Sequence, residues 1–125
     1  MRKSILIADD NKSIRRLTRD FFEMHSTYEI CGEAVDGIDV VAKAGELKPD
    51  LIILDLAMPG MNGLQAAKTV RTTSKVPIIL FTMYAGELGM QDASSAGIDA
   101  VVSKVAPLAV LLSQAESLLG AANNL

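Results

Sequence analysis

Apolar residues in this chain fall into five short runs, which are separated by longer segments of mixed character. Most of the runs are nearly continuous, as strands buried on both faces are, whereas the second alternates between polar and apolar positions. Turn-forming residues bound them, such as Pro59-Gly60 after the third run. The pattern predicts strands over residues 4–8, 28–34, 51–54, 76–81 and 100–103.

The segments after these runs carry apolar residues at spacings of three and four, which predicts a helix after each strand. Asn11 or Ser13 can cap the first helix, and Pro107 opens the last. The fourth, over 86–96, has the weakest pattern because glycines and serines interrupt it. The apolar faces predicted for the other helices are Ile14, Leu17, Phe21 and Met24; Ile38, Val41, Ala42 and Leu47; Leu64, Ala67 and Val70; and Leu108, Leu111, Leu112, Ala115, Leu118 and Leu119.

Strands that alternate with helices along a chain predict a parallel sheet with helices on both faces. The polar side of the first helix carries four basic residues, which we interpret as a solvated face. They are Lys12, Arg15, Arg16 and Arg19.

The composition indicates one domain of 125 residues, half of them apolar. No apolar run approaches the ~20 residues of a membrane helix, and the short N-terminal run is followed at once by acids, unlike a signal peptide. We therefore expect a cytoplasmic protein with no membrane partner. The net charge of −3 argues against direct DNA binding, and the single cysteine, Cys31, excludes an internal disulfide and a cysteine-based metal cluster.

Four predicted strands are followed by, or end in, polar residues with a definite chemistry: Asp9 and Asp10, Asp55, Thr82, and Lys104. The carboxyl ends of parallel strands share one edge of the sheet, and ligands bind at that edge in open α/β sheets. Crowded carboxylates repel one another, and a hard cation such as Mg²⁺, which prefers oxygen ligands, relieves that repulsion. No histidine or cysteine lies at a strand end, so zinc or copper is not expected.

Asp55 by itself could simply cap a turn or a helix, as aspartate commonly does. Lys104 and Thr82 favour another role, because an ammonium and a hydroxyl can neutralise and hydrogen-bond a phosphoryl group. An aspartate can attack phosphorus and form an aspartyl phosphate. The sequence has no Walker motif or glycine-rich phosphate loop, so binding of a nucleoside triphosphate is not predicted.

This combination resembles the receiver domain of bacterial two-component response regulators, over the whole chain as one domain at residues 1–125. The residues that carry the resemblance are Asp9-Asp10, Asp55 with the following segment 58–63, Thr82 and Lys104. The segment 31–34 before Asp36-Gly37 is similar to the LuxR/FixJ-type subgroup. The resemblance implies an α/β, flavodoxin-like, doubly wound fold with five helices around a five-stranded parallel sheet of order 2-1-3-4-5.

The resemblance also implies a phosphoacceptor switch. Asp55 would accept a phosphoryl group from the phosphohistidine of a sensor histidine kinase or a phosphotransfer protein, in a Mg²⁺-dependent reaction. Asp10, Asp55 and the backbone carbonyl of Ala57 would bind the metal directly, and Asp9 would bind it through water.

By the same resemblance, Thr82 would bond a phosphoryl oxygen and move on activation, while Lys104 would pair with the phosphoryl group. Three residues depart from the family pattern. Met83 stands where a small residue usually follows the threonine, and Val101 stands where an aromatic residue usually precedes the lysine by three positions. Val105 stands where a proline usually follows the lysine, so a cis peptide bond is not expected there. We expect Met83 to restrict access to the phosphoryl group and Val101 to weaken the coupling of Thr82 to the output.

The resemblance implies no enzyme, apart from self-phosphorylation from phosphodonors and autodephosphorylation. The expected output is transcription through a DNA-binding domain absent from this segment, with homodimer formation on phosphorylation as a further possibility. One alternative is a stand-alone or degenerate receiver that acts as a protein-binding module. Another is a phosphatase of the haloacid dehalogenase type, which needs a second acid two residues after the nucleophile, where this chain has Ala57.

Overall fold

The computed structural model describes residues 2–86 and 90–120. Its strands are β1 (Ser4–Ala8), β2 (Glu29–Ala34), β3 (Leu51–Leu54), β4 (Ile78–Thr82) and β5 (Ala100–Ser103). Its helices are α1 (Lys12–His25), α2 (Gly37–Leu47), α3 (Gly63–Arg71), α4 (Met90–Ser95) and α5 (Leu108–Leu119). The strands form one parallel sheet of order β2-β1-β3-β4-β5, so the predicted fold and strand order are confirmed.

The sheet separates two hydrophobic layers, which explains the continuous apolar runs of its central strands. Leu6, Ile52 and Leu80 point into one layer, which α2, α3 and α4 cover. Ile7, Ile53 and residues of α1 and α5 form the other. Because β1, β3 and β4 are buried on both faces, nearly every position in them is apolar.

The strand register brings the predicted site residues to one edge of the sheet. Ala8 pairs with Leu54, and the Asp55 amide donates to the Ala8 carbonyl at 2.9 Å, so Asp9 and Asp55 leave the sheet side by side. On the other side of β3, β4 ends at Thr82, whose carbonyl accepts from the Lys104 amide at 3.0 Å.

Three helices begin at side-chain caps, and the first of these, Asn11, is one of the two that the sequence predicts. The side chains of Asn11, Asp36 and Asn62 accept a hydrogen bond from the backbone amide three residues further on. Asn62 also forms a reciprocal pair with Gln65, since each side chain accepts from the other residue's backbone amide.

The predicted apolar face of α1 is partly wrong. Leu17 and Met24 are 58% and 78% exposed, whereas Thr18 and Phe22 are buried and face the sheet. Ile14 does pack against the core as predicted, and the inward row continues from it at intervals of four residues. Thr18 is tolerated inside because its hydroxyl donates to the Ile14 carbonyl at 2.8 Å, so no polar group is left unpaired.

The predicted face of α2 is also partly wrong. Ile38 is 65% exposed, while Gly37 and Val40 are buried and Val41 packs at the margin of the core. A Cβ atom at Gly37 would lie within 2.1 Å of the Met61 carbonyl oxygen, so the helix approaches the loop before α3 at a residue without a side chain. This close approach turns Ile38 outward.

The remaining differences concern the ends of elements. β4 begins at Ile78 rather than at residue 76, since Pro77 has no amide hydrogen to give to a strand ladder. The prediction of a helix over 86–96 is met by α4, Met90–Ser95, while residues 87–89 lie outside the described residues. The inward faces of α3 and α5 agree with the sequence pattern.

Candidate metal and phosphoryl site

The structure brings three predicted carboxylates together at the carboxyl edge of the sheet. Asp9 and Asp55 are buried and Asp10 is exposed. Each offers a carboxylate oxygen, and these oxygens all lie within 4.8 Å of one another. Two buried anions and one solvent-facing anion form a half-open pocket of the kind that suits a partly hydrated cation.

Lys104 lies across the buried pair. Its Nζ is 2.6 Å from Asp9 Oδ2 and 2.9 Å from Asp55 Oδ2, and its side chain is only 8% exposed. One ammonium therefore faces three carboxylates, and the pocket keeps a net negative charge. The sequence predicted that Lys104 would lie at the same edge and pair with a phosphoryl group, but it did not predict the contacts with Asp9 and Asp55.

Burial and pairing shift the proton affinities in this pocket. Burial raises the pKa of Asp9 above its ordinary 3.8, although hydrogen bonds from Lys104 and from the Asn11 amide favour the ionised form. Burial alone would lower the pKa of Lys104. The hydrogen bonds to Asp9 and Asp55 outweigh that effect, so this pKa lies above its ordinary 10.5 and the ammonium stays charged.

Thr82 ends β4 beside this pocket and is fully buried. Its Oγ1 accepts a hydrogen bond from the Tyr84 amide at 3.2 Å, which ties the hydroxyl to the loop that follows the strand. Met83 is exposed, and Val101 packs at the margin of the core. A change in the hydrogen bonds of Thr82 would therefore first affect the loop that follows β4.

The loop from Asp55 to α3 is held by a glycine. A Cβ at Gly63 would lie 2.3 Å from the Asp55 carbonyl oxygen, and the Gly63 amide donates to the Leu56 carbonyl at 2.8 Å. In the sequence, Gly63 is only the last residue of the segment 58–63 that carries the family resemblance. Its contact with the backbone of Asp55 could not be inferred from that resemblance.

Arg15, which the sequence assigned to a solvated face, instead contacts the site. Its Nη1 donates to the Asp9 carbonyl at 2.7 Å, and its Nε donates to Glu33 Oε1 at 2.9 Å. Arg19 binds the other oxygen of Glu33 at 2.8 Å. The bonds from Arg15 and Arg19 overcome the effect of burial, so the pKa of Glu33 lies below its ordinary 4.5.

We expect the stability that Glu33 contributes to the folded protein to be lost in acid. Because its pKa is lower in the folded than in the unfolded chain, its contribution is present above pH 4.5 and is lost as the pH falls through the folded value. The difference in unfolding free energy between the protein and Glu33→Gln should shrink over that range, measured by urea titration at several pH values. The exposed Glu46→Gln is the control, and a difference for Glu33→Gln that does not change with pH would contradict the expectation.

A cation fits the donor set that the structure shows. Asp9, Asp10 and Asp55 supply only oxygen ligands, which is the preference of Mg²⁺ rather than of zinc or copper. The excess negative charge of the pocket favours a divalent ion over a second ammonium. Among the helices of residues 2–86 and 90–120, none combines the length and the apolar character that a membrane crossing requires.

The topology and the acidic edge define a doubly wound α/β protein whose site lies at the carboxyl ends of β1, β3, β4 and β5. A sequence model of the response regulator receiver domain matches residues 5–116, which is most of the chain. The chain belongs to the family of response regulator receiver domains.

Relatives of this chain include longer proteins. A protein-glutamate methylesterase/protein-glutamine glutaminase of Nocardioides sp. is 36% identical over 105 residues, covering 82% of this chain and 29% of that protein. The chain thus spans less than a third of that relative's length. The receiver domain is therefore only part of this relative.

Two solved structures show the same fold. A LuxR-family response regulator from Aurantimonas sp. SI85-9A1 has a TM-score of 0.88 and 27% identity, covering 97% of this chain and 87% of that one. The response regulator TrrA from Thermotoga maritima, solved in complex with Mg(2+)-BeF, has a TM-score of 0.83 and 34% identity, covering 94% and 99%.

Proposed function

We propose that this chain is a Mg²⁺-dependent phosphoacceptor, with Asp55 as the residue that carries the phosphoryl group. The observation that supports this most directly is the position of Asp55. It is buried at the end of the central strand, bound to Lys104 at 2.9 Å and grouped with Asp9 and Asp10. The complex that TrrA forms with Mg(2+)-BeF is consistent with such a site.

Each residue of the pocket has a distinct part in the proposal. Asp10, Asp55 and the backbone carbonyl of Ala57 would hold Mg²⁺, and Asp9 would hold it through water; the three carboxylates are grouped at this edge of the sheet. When bound, the ion would supply positive charge to the phosphoryl oxygens. Lys104, already placed against Asp9 and Asp55, supplies a second positive charge to the same oxygens.

The proposed reaction is an in-line displacement at phosphorus. A carboxylate oxygen of Asp55 forms the new P–O bond while the P–N bond of a phosphohistidine breaks. The electron pair of the P–N bond remains on the departing ring nitrogen, and the imidazole leaves as a neutral ring because its other nitrogen already carries a proton. Lys104 releases Asp55 and binds a phosphoryl oxygen, and its contact with Asp9 keeps it in place. The attacking group is the Asp55 side chain, of which Oδ2 lies 2.9 Å from Lys104 Nζ.

The proposed partners are a sensor histidine kinase or a phosphotransfer protein as donor, with a homodimer formed after phosphorylation. For the output we propose transcription, as the LuxR-family neighbour suggests. The methylesterase relative defines the alternative, which is control of an enzyme domain. We also propose that the receiver domain occupies residues 1–125 and that the protein is cytoplasmic.

The proposal is tested by incubating the protein with acetyl phosphate and Mg²⁺ and measuring its intact mass. We expect a gain of one phosphoryl group that chelation of the metal prevents. Reduction of the product with borohydride should locate the modification at Asp55. A protein that gains no phosphoryl group from acetyl phosphate or from phosphorylated kinase histidines would instead be a binding module.

We expect Mg²⁺ to stabilise the folded protein, because it relieves the repulsion among Asp9, Asp10 and Asp55. By mass action, Mg²⁺ at about 100 times its dissociation constant should add about 2.7 kcal/mol to the free energy of unfolding. Asp10→Asn should remove most of that gain, while the exposed Asp20→Asn should keep it. An unchanged Mg²⁺ increment in Asp10→Asn would show that Asp10 is not a ligand.

Val101 is expected to leave the switch only weakly biased after phosphorylation. An aromatic side chain buries ~150–250 Å², and valine cannot replace it. A groove of about 450 Å³ that is open to solvent is lined by Val101, Ala100 and Ile98 together with residues of α4 and α5. Amide exchange with and without beryllofluoride should show little added protection over 83–97, and strong protection there would contradict this expectation.

A further inference from the structure

Arg15 joins the first helix to the acidic edge through its guanidinium. The side chain is only 11% exposed, although it lies one turn into a helix whose neighbouring basic residue Arg16 faces solvent. Nη1 donates to the carbonyl oxygen of Asp9 at 2.7 Å. A hydrogen bond from a charged donor to a backbone carbonyl is among the stronger polar contacts of a protein.

Glu33 holds this guanidinium in a fixed orientation. Its Oε1 accepts from Arg15 Nε at 2.9 Å, and its Oε2 accepts from Arg19 at 2.8 Å. Lys43 donates to the Glu33 backbone carbonyl, so the acid is itself anchored from α2. Arg15 is thus fixed at Nε by β2 and at Nη1 by the end of β1. The planar guanidinium sets the angle between the two bonds.

The bond to the Asp9 carbonyl fixes the peptide group that leads into Asp10. The rest of Asp9 is held independently. Its amide donates to Ala34 at 3.0 Å, its Oδ1 accepts from the Asn11 amide at 2.9 Å, and its Oδ2 contacts Lys104. The Asn11 bond closes a ring across the Asp9–Asp10 peptide and restricts its rotation from one side, and the Arg15 bond to the Asp9 carbonyl restricts it from the other. That peptide sets the backbone position from which the exposed Asp10 side chain extends.

We propose that Arg15 is a positioning residue for the cation site, which it orients through the peptide between Asp9 and Asp10. The inference rests on the proposed function, since it concerns the same metal. Glu33 has a second part in it. Its negative charge offsets the guanidinium, which would otherwise repel a divalent cation bound nearby.

The test compares two arginines of the same helix that bind the same acid. Arg15→Gln removes the contacts with both Glu33 and Asp9, whereas Arg19→Gln removes a contact with Glu33 of nearly equal length and a 3.5 Å contact with Glu23, but none with Asp9. Titration calorimetry with Mg²⁺ alone gives the dissociation constant for each protein. We expect Arg15→Gln to bind Mg²⁺ about 10-fold more weakly, as loss of a group that orients a ligand does, and Arg19→Gln to stay within about twofold.

A purely structural role for Arg15 makes different predictions. It would lower the melting temperature in both variants without separating their Mg²⁺ affinities. A positioning role should also appear without metal, as faster exchange of the Asp10 and Asn11 amides in Arg15→Gln than in Arg19→Gln. If Arg15→Gln does not fold, Arg15→Lys is tested instead. Lysine keeps the charge but cannot make both bonds with one planar group, so we expect a loss of Mg²⁺ affinity smaller than about 10-fold.

Three results would overturn the inference. They are an unchanged Mg²⁺ dissociation constant in folded Arg15→Gln, an equal loss in Arg19→Gln, and a full parental affinity in Arg15→Lys when that variant is the one tested. The proposed function is judged separately on the parent protein. If the parent accepts a phosphoryl group and binds Mg²⁺, the proposed function stands whatever the result for the Arg15 variants. If the parent binds no Mg²⁺, both the proposed function and the role of Arg15 are wrong.

Discussion

Replacement of Asp55 by asparagine is expected to reduce phosphorylation by acetyl phosphate to below detection. The amide has nearly the same shape as the carboxylate but lacks the anionic oxygen that would attack phosphorus. It also takes one negative charge from the pocket and weakens the contact with Lys104, which is 2.9 Å from Asp55 Oδ2. Intact mass after incubation with acetyl phosphate and Mg²⁺ measures the outcome directly.

The matched control for this change is at the opposite end of the same strand. Asp50 directly precedes β3, and its Oδ2 accepts from the Ser4 amide at 2.8 Å at the amino edge of the sheet. Asp50→Asn should therefore leave phosphorylation intact, even if it costs some stability. A full gain of one phosphoryl group in Asp55→Asn would assign the reaction to another residue, and Asp9 and Asp10 would then be the candidates to replace in turn.

The sheet could be predicted from the sequence because its strands are buried on both faces. A run such as Leu51–Leu54 has no polar position to disturb the pattern. Alternation of strands and helices predicts parallel strands, whose carboxyl ends share one edge, and this placed Asp9, Asp55, Thr82 and Lys104 together. The strand order itself came from the family resemblance, because alternation alone does not determine it.

The helix faces were harder to predict because α1 and α2 contain apolar residues on more than one side. Leu17 fits a helical repeat as well as Thr18 does, and hydrophobicity alone favours the leucine. Thr18 can be buried instead because its hydroxyl donates a hydrogen bond to a carbonyl of its own helix. In α2 the choice depends on Gly37, whose contact with Met61 joins residues that are distant in sequence.

The parts of the site that the sequence did not reveal are contacts with a backbone carbonyl or with a second partner. Arg15 reaches the Asp9 carbonyl, Gly63 lies against the Asp55 carbonyl, and Lys104 binds two acids rather than one. Residue type gives no sign of such contacts, because arginine and glycine have many other uses on a surface or at a helix start. These contacts depend on how the helices and loops are placed against the sheet.

Replacement of Lys104 by methionine is expected to destabilise the metal-free protein by about 3–5 kcal/mol, because it leaves the buried carboxylates of Asp9 and Asp55 without their shared cation. Mg²⁺ should then restore more stability than it adds to the parent, since no ammonium competes with it for the same oxygens. Urea unfolding of both proteins in a chelator and in saturating Mg²⁺ measures the two differences.

Lys43→Met separates this effect from the loss of any lysine in an ion pair. Lys43 binds Asp39 at 3.2 Å with both side chains partly exposed, a kind of pair that contributes ~0–1 kcal/mol, and it also donates to the Glu33 carbonyl. It contacts none of the buried carboxylates at the carboxyl edge, so its Mg²⁺ increment should not rise above that of the parent as the increment of Lys104→Met does. If Lys104→Met were no less stable than Lys43→Met in chelator, the ammonium would not be offsetting the repulsion between Asp9 and Asp55. If the Mg²⁺ increment of Lys104→Met merely equalled that of the parent, Lys104 and the metal would not share ligands. The proposed release of Asp55 by Lys104 would then need a cause other than competition with the bound cation.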